Sequence, residues 1–366
     1  MLRTLLAGNA RVVAADGSNA PAAAAATGSA APLLAAACGV GAEVPGELVR
    51  LLLLLHAGQQ QRRGASAATV RRLLDFYNRE VLPVVYQQGG DRVELAHLCL
   101  PLFGLGEVNY QGYRLQTHDV LELFGWAPLP PADADAATLL AGSSFTLAYA
   151  TQAWLRTEHL LGVADSLSAV SRAVRGSDAD GAALSSAHPA CHAALAYVRH
   201  AIEDAFAASP TLDNQQAADN DHLAPAAAGV SLALPTLLLT LAELGSRSAG
   251  RTERLLPGAA PTLAGLHRPV SSLLWQNSRL CTVASTNSAA DAALSTHPLL
   301  DNVEQLLGME LLLILHQPSD SQLTETQLLL DTREQLPPLV EQQPVYPLVH
   351  AAAQFVRHYA PQGQAT

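Results

Sequence analysis

The sequence predicts an all-α protein, an elongated bundle of long helices. Three observations predict it. Apolar residues recur at three- and four-residue steps along most of the 366 residues, the spacing that lines one face of a helix. Alternating apolar and polar runs are nearly absent, the one candidate being "NYQGYRL", residues 109–115, as a short hairpin around Gly112. The composition is rich in Ala and Leu, with 49% hydrophobic, 5% aromatic and 14% charged residues.

Residues 14–32, "AADGSNAPAAAAATGSAAP", are low in complexity and lack a period, so residues 1–32 read as a mobile lead-in. Two helices follow, in "GELVRLLLLLHAGQQQRR" and "SAATVRRLLDFYNREVLPVV". Ser66 is placed to cap the second and Pro83 to mark its exit. Further helices are expected at about 91–104, 114–124, 136–174, 187–207, 226–247, 250–256, 268–283, 296–317 and 345–359. No internal repeat appears at periods of 20–50 residues. A helical domain over 33–317 is therefore followed, over 318–366, by a Pro-containing connection and a C-terminal helix.

The net charge of -11 argues against nucleic acid as a partner, since phosphate backbones attract concentrated basic residues. The pairs Arg62-Arg63 and Arg71-Arg72 flank a helix start and read as a solvated face. Cys38, Cys99, Cys191 and Cys281 are scattered without metal spacing, as in a reduced cytoplasmic protein. The opening "MLRTLLAGNARVVAADG" holds too short an apolar run for a signal peptide. The most apolar window, residues 224–245, is nearly long enough to span a bilayer. It carries Pro235, has Asp221 and Glu243 at its ends and has no partner span, so it reads as a buried core helix rather than a membrane anchor. A surface this thin in charge favours association between subunits.

The order of segments carries more than any one of them. "GVGAEVPGELVRLLLLLHAGQQQRRGASAATVRRLLDFYNREVLPVVYQQG" is similar to the helical region of the histidine, phenylalanine and tyrosine ammonia-lyase family. There H-x-x-G-x-G, an R-A-N helix, K-G-x-S-G and a helix ending in H-P-x-x-P-x-x-G succeed one another. The family continues with S-V-G-A-S-G-D-L-x-P-L-A-H and G-x-G-x-x-x-Y-x-G, and "GDRVELAHLCLPLFGLGEVNYQGYRL" resembles the second half of that pattern. "LLAGSSFTLAYA", "HPACHAALAYVRHAIEDAF", "GVSLALPTLLLTLAELGSRSAGRTERLL" and "LLDNVEQLLGMELLLILH" then resemble four later family segments, in the family's order. The resemblance covers about residues 33–317 and implies a shortened form of the ammonia-lyase (L-aspartase-like) fold.

In that family an Ala-Ser-Gly tripeptide cyclises into a methylidene-imidazolone, an electrophile built into the chain. A Tyr on an N-terminal loop serves as base, and an Asn, an Arg and further Tyr residues hold the electrophile and the substrate carboxylate. Aligned to this pattern, Gln88-Gly89 and Gly90-Asp91 leave a gap of about five residues, and only Gly90 remains of the tripeptide. Without a serine to lose water, the ring cannot form. The family's Asn falls on Ala141, its carboxylate-binding Arg on Ser186, the nearby Tyr on Ala183, the Gln on Ala190 and the Arg of the R-A-N helix on His56. The late G-Q-E-D-H segment reads "TNSAADAALST", without its acid, and the Tyr-bearing loop has no counterpart before residue 33.

Three retained polar residues, Asp91, His97 and Glu107, are either the remnant of a cleft wall or ordinary structural groups, with Asp91 as an N-cap and His97 packed on its helix. His188 and His192 have an i,i+4 spacing that binds zinc on helices, but no acid follows in the needed place and Pro189 marks a helix start, so no metal is expected. No G-x-S-x-G, P-loop or dinucleotide fingerprint is present, and no cofactor is expected.

The resemblance implies a pseudoenzyme of the ammonia-lyase family, without catalytic residues, that forms a homo- or hetero-oligomer and supports an active paralogue. Two alternatives stand beside it: a cleft repurposed for another ligand around His56, Asp91, His97 and Glu107, and an ordinary aromatic amino acid ammonia-lyase, should the gap be misplaced.

Overall fold

A computed structural model describes residues 30–130, 136–174, 187–207, 225–284, 289–317, 326–340 and 343–359. The lead-in before residue 30 lies outside the described residues. The chain divides into two compact units, one made of Met1–Ala150 with Ile202–Val230, the other of Thr151–Ala201 with Ser231–Thr366.

In the first unit, helix α1 (Ala31–Ala36) leads to strand β1 (Val40–Glu43), then α2 (Gly46–Arg62) and α3 (Ala67–Arg79). Helices α2 and α3 pack on each other, burying Leu48, Leu52 and Leu55 on one side and Leu73, Phe76 and Tyr77 on the other. Ser66 caps α3 as its sequence position suggests, its hydroxyl accepting from the Thr69 N–H at 3.2 Å. The exit differs from expectation. Helix α3 ends at Arg79, with Glu80 in the left-handed region (φ 56°) and the Val81 N–H returning to the Phe76 carbonyl. Pro83 comes later, in strand β2 (Leu82–Pro83), at an edge of a three-stranded sheet where a missing N–H is tolerated.

The sheet order is β2-β4-β5, where β4 (Glu107–Tyr110) and β5 (Tyr113–Gln116) form the expected hairpin. Gln111 and Gly112 both have positive φ (50° and 81°), which matches the twist of the strands they join. A separate two-stranded ribbon pairs β1 with β3 (Tyr86–Gln88), in register Val40 to Gln88 and Glu43 to Tyr86. Strands β1, β2 and β3, of two to four residues, escaped the sequence reading because tertiary pairing, not alternation, makes them. Helix α4 (Asp91–Cys99) continues as a 3-10 turn, Leu100–Phe103, and α5 (Thr117–Leu123) follows the hairpin. The helix expected from 136 is interrupted. A short α6 (Ala136–Leu139) precedes α7 (Ser144–Val174), and Gly142, with φ 119°, stands in the break.

The second unit takes most of α7 and parts of α8 (Pro189–Ala207) and α9 (Pro225–Leu255), with α10 (His267–Ala284), α11 (Ala289–Leu315), α12 (Gln327–Gln335) and α13 (Tyr346–His358). Helix α9 is continuous where two helices are expected, and α12 is not foreseen in the sequence. Helix α11 is buried nearly all round, through Leu299, Leu300, Val303, Leu306, Leu307, Leu311 and Leu312. Helix α13 packs against it so closely that a Cβ on Gly308 would stand 2.8 Å from the Ala353 backbone nitrogen. Arg156 and Arg357 converge on the buried Glu304, at 2.6 and 2.7 Å, and share Asp301. Among the described residues one stretch, Gly229–Gly258, is long and apolar enough to cross a membrane by length and composition, and half of its apolar window is buried inside the protein.

Candidate functional site

The junction between β3 and α4 is where the family pattern would place its electrophile. The chain crosses it on two glycines. A side chain at Gly89 has no room, because its Cβ would fall 2.5 Å from Val93 Cγ1 and 2.6 Å from Val93 Cβ. Gly90 adopts φ 90°, ψ 160°, a conformation open almost only to glycine, and occupies the N-cap position of α4. Its N–H donates to Glu94 Oε1 at 2.9 Å and its carbonyl accepts from the Val93 N–H at 2.8 Å. Gly90 thus holds the capping place expected for Asp91, which is the first helical residue instead. The Asp91 side chain lies outside the described residues.

His97 and Glu107 are joined through Tyr86, which His97 meets with its ring and Glu107 reaches by way of Arg114. His97 Nε2 accepts from the Gly39 N–H at 3.0 Å, and its ring meets Tyr86 edge-on at 5.2 Å. Burial lowers its pKa, in keeping with a neutral ring whose Nε2 is an acceptor. Glu107 lies on the hairpin and accepts from Arg114 Nε at 2.9 Å, while Arg114 also reaches Glu43 at 2.5 Å and the Tyr86 hydroxyl at 3.0 Å. Glu107 is therefore part of a surface ion network.

His56 is fully enclosed between helices. Its Nδ1 lies 3.2 Å from Ser144 Oγ and its Nε2 lies 3.5 Å from Cys99 Sγ. The Ser144 hydroxyl donates to Gln59 Oε1 at 2.7 Å, so it can only accept from His56. His56 is then the Nδ1–H tautomer, and the Cys99 thiol donates to Nε2. Burial, with Arg63 nearby, lowers the His56 pKa to about 3, and burial raises that of Cys99. The sequence did not single out Gln59, Cys99 or Ser144. Their grouping looks like an activated nucleophile, but the hydrogen bonds run the wrong way. His56 gives its proton toward Ser144 rather than taking one, and the thiol is held protonated.

In the second unit, Asp165 of α7 supplies the acid that the sequence around His192 lacks. Its two oxygens accept from His188 Nδ1 and His192 Nε2, each at 2.7 Å. His188 Nε2 faces Arg251 Nη1 at 3.2 Å and so accepts from it. Burial raises the Asp165 pKa, but the hydrogen bonds from His192 and His188 outweigh this and hold it below its ordinary value. Both imidazoles are committed to Asp165, and among the described residues no group of three or more His, Cys, Asp or Glu is arranged to hold a metal ion. Pro189 does begin α8, with His188 just before it.

Comparison with known proteins decides the lineage. The profile of a family described as aromatic amino acid lyase matches residues 17–223, more than half of the chain. The chain belongs to the aromatic amino acid lyase family. Histidine ammonia-lyase of Geobacillus thermodenitrificans is 37% identical over 128 residues, covering 33% of this chain and 25% of that one. The enzyme of the same name from Symbiobacterium thermophilum is 39% identical over 121 residues, or 31% of this chain and 22% of its own length. The chain thus matches about a quarter of the length of these curated relatives. In fold it is similar to histidine ammonia-lyase from Trypanosoma cruzi, with TM-score 0.74 at 20% identity over 89% of this chain and 78% of that one. The phenylalanine aminomutase of Pantoea agglomerans gives TM-score 0.71 at 18% identity over 90% and 84%.

Within this member of the aromatic amino acid lyase family, the positions paired by resemblance with family functional residues stand as follows. His56 is locked in the core, and Ala141 lies in the break before α7, its N–H bonded to the Thr138 carbonyl at 3.2 Å. Gly90 caps α4, and Ala183 and Ser186 lie outside the described residues. The fold brings His56 of α2 beside Ser144, three residues beyond Ala141, and it links His97 to Glu107 through Tyr86 and Arg114.

Proposed function

We propose that this chain is a non-catalytic member of the aromatic amino acid lyase family, a structural or regulatory subunit that associates with a paralogue carrying the Ala-Ser-Gly tripeptide. The observation that carries the reading is the Gly89-Gly90 junction. A family electrophile made from the chain's own backbone needs a serine there, and the 366 residues contain no Ser-Gly step anywhere. The Val93 side chain fills the space that a residue larger than glycine at position 89 would need. Association is supported by the thin surface charge and by Leu232 and Leu239, two turns apart on α9 and both largely exposed. The reading places the protein in the reducing cytoplasm, in keeping with four cysteines that form no disulfide. His56 is enclosed with Ser144 and Cys99, while His97 and Glu107 meet through Tyr86 and Arg114, so the three do not themselves favour a repurposed cleft.

Native mass spectrometry of the tagged chain purified from its own host tests this. The expected result is a mixed complex with a second, tripeptide-bearing chain, whose lyase activity changes when this chain is withheld. A homo-oligomer alone overturns the proposal. The intact mass is expected to equal that of the unmodified sequence, without loss of water and without an added ultraviolet absorption band. A dehydrated, absorbing chain would show that the electrophile forms after all.

A further inference from the structure

The second unit bears an open cavity of about 470 Å³ lined by Arg172, Arg247, Arg251 and Arg254, of which Arg172, Arg247 and Arg254 are exposed to solvent. Four guanidiniums there face a single lining carboxylate, Glu243, in a chain whose net charge is -11. The charges are unevenly matched. Arg247 is held by Glu243 at 2.6 Å, and Arg251 by the buried Glu310 at 2.5 and 2.9 Å. Arg254 gives its Nε to the Gly250 carbonyl at 2.8 Å and acts on Glu310 through its charge, but among the described residues neither Arg254 nor Arg172 forms a close ion pair with a carboxylate. Arg247, Arg251 and Arg254 lie at i, i+4 and i+7 on one face of α9, where like charges repel. Burial, countered by Asp165 but reinforced by Arg251 and Arg247, lowers the pKa of His188, which lines the same wall. Ser168 and Ser171 of α7 add hydroxyl donors from the other side.

We propose that this cavity is a binding site for a small organic polyanion carrying two or more carboxylate or phosphate groups. Guanidinium stays charged at all physiological pH values and pairs bidentately with planar carboxylate or with phosphate. Arginines at a concave wall that form no close ion pair among the described residues are therefore available to such groups. The volume falls within the range of small-ligand sites. The size and the acidic balance of the whole chain both disfavour a nucleic acid strand. The site is independent of the Gly89-Gly90 junction, so it stands or falls separately from the proposed loss of lyase chemistry.

The full chain is titrated calorimetrically with inorganic pyrophosphate and, separately, with citrate, at constant ionic strength. Saturable binding of at least one probe is expected. The paired change Arg172→Gln with Arg254→Gln weakens it by about tenfold or more, equivalent to a loss of at least about 1.4 kcal/mol. Arg268→Gln, an exposed change on α10, leaves the affinity unchanged. Circular dichroism confirms that the variants fold. Citrate alone assigns a polycarboxylate, and pyrophosphate alone a phosphate-bearing ligand. Saturation by neither probe, or equal weakening in the Arg268→Gln chain, overturns the proposal. So does loss of a salt-sensitive self-association, rather than of anion binding, in the double variant.

Discussion

A Cβ on Gly89 would stand 2.5 Å from Val93 Cγ1, closer than real side chains approach each other. The obstacle is the β-branched side chain one turn into α4, stiff at χ1 and unable to swing clear. Gly89→Ala is therefore expected to destabilise the chain by about 1–3 kcal/mol, the range for overpacking. Val93→Gly removes both the Cγ1 and the Cβ in the way, so the two changes together cost less than their sum. A urea-denaturation cycle measures this, and strict additivity would show that Val93 is not the obstacle.

Gly90 presents the opposite case. Nothing lies within 4 Å of a Cβ built on it, yet its φ is 90° and its ψ 160°. Gly90→Ala is expected to cost about 1–3 kcal/mol from backbone strain alone. Val93→Ala leaves that cost unchanged in the same assay, and rescue by Val93→Ala would point to sterics instead.

His56 makes stability depend on pH. Its pKa falls from 6.5 unfolded to about 3 folded, so the native state binds the proton less readily than the unfolded chain. Its contribution is fully present above pH 6.5 and is lost as pH falls from there toward 3. At pH 5 the loss is about 2 kcal/mol by linkage. His297, lowered to about 4 chiefly by burial with Arg156 beside it, acts in the same direction. Denaturation midpoints at pH 7.5 and pH 5 check the sign, and His56→Gln flattens the slope. Stability that holds or rises on acidification would contradict the buried neutral ring.

Arg251 and Glu310 form a buried pair, with Ser248 donating to the same carboxylate at 2.7 Å. Arg251→Met leaves the Glu310 charge uncompensated and is expected to cost about 3–5 kcal/mol. Arg251→Met together with Glu310→Leu recovers most of that, because the unpaired charge, rather than the lost attraction, dominates the penalty. Equal destabilisation in the single and double variants would reverse that reasoning.

Local rules read from the sequence hold where the physics is local. The three- and four-residue step marked the long helices, Ser66 marked the start of α3, Pro189 the start of α8, and Gly112 the hairpin. The same rules misplaced what neighbours decide. Pro83 stands four residues beyond the true end of α3 because Glu80 turns the chain first and β2 then needs an edge residue. Helix α9 runs through Gly250 because its buried face outweighs the weak helix propensity of glycine.

The site divides in the same way. The absence of a serine between Gln88 and Asp91 is legible in the sequence alone, because a backbone-derived electrophile needs specific consecutive residues. So is the family, through the order of its segments. The sequence could not show that Asp165 joins His188 to His192, that Cys99 and Ser144 enclose His56, or that four arginines share one wall. His56 and Ser144 are 88 positions apart, and Arg251 and Glu310 are 59 apart. Helical periodicity says which residues share a face, but only the packing of one helix on another selects which faces meet.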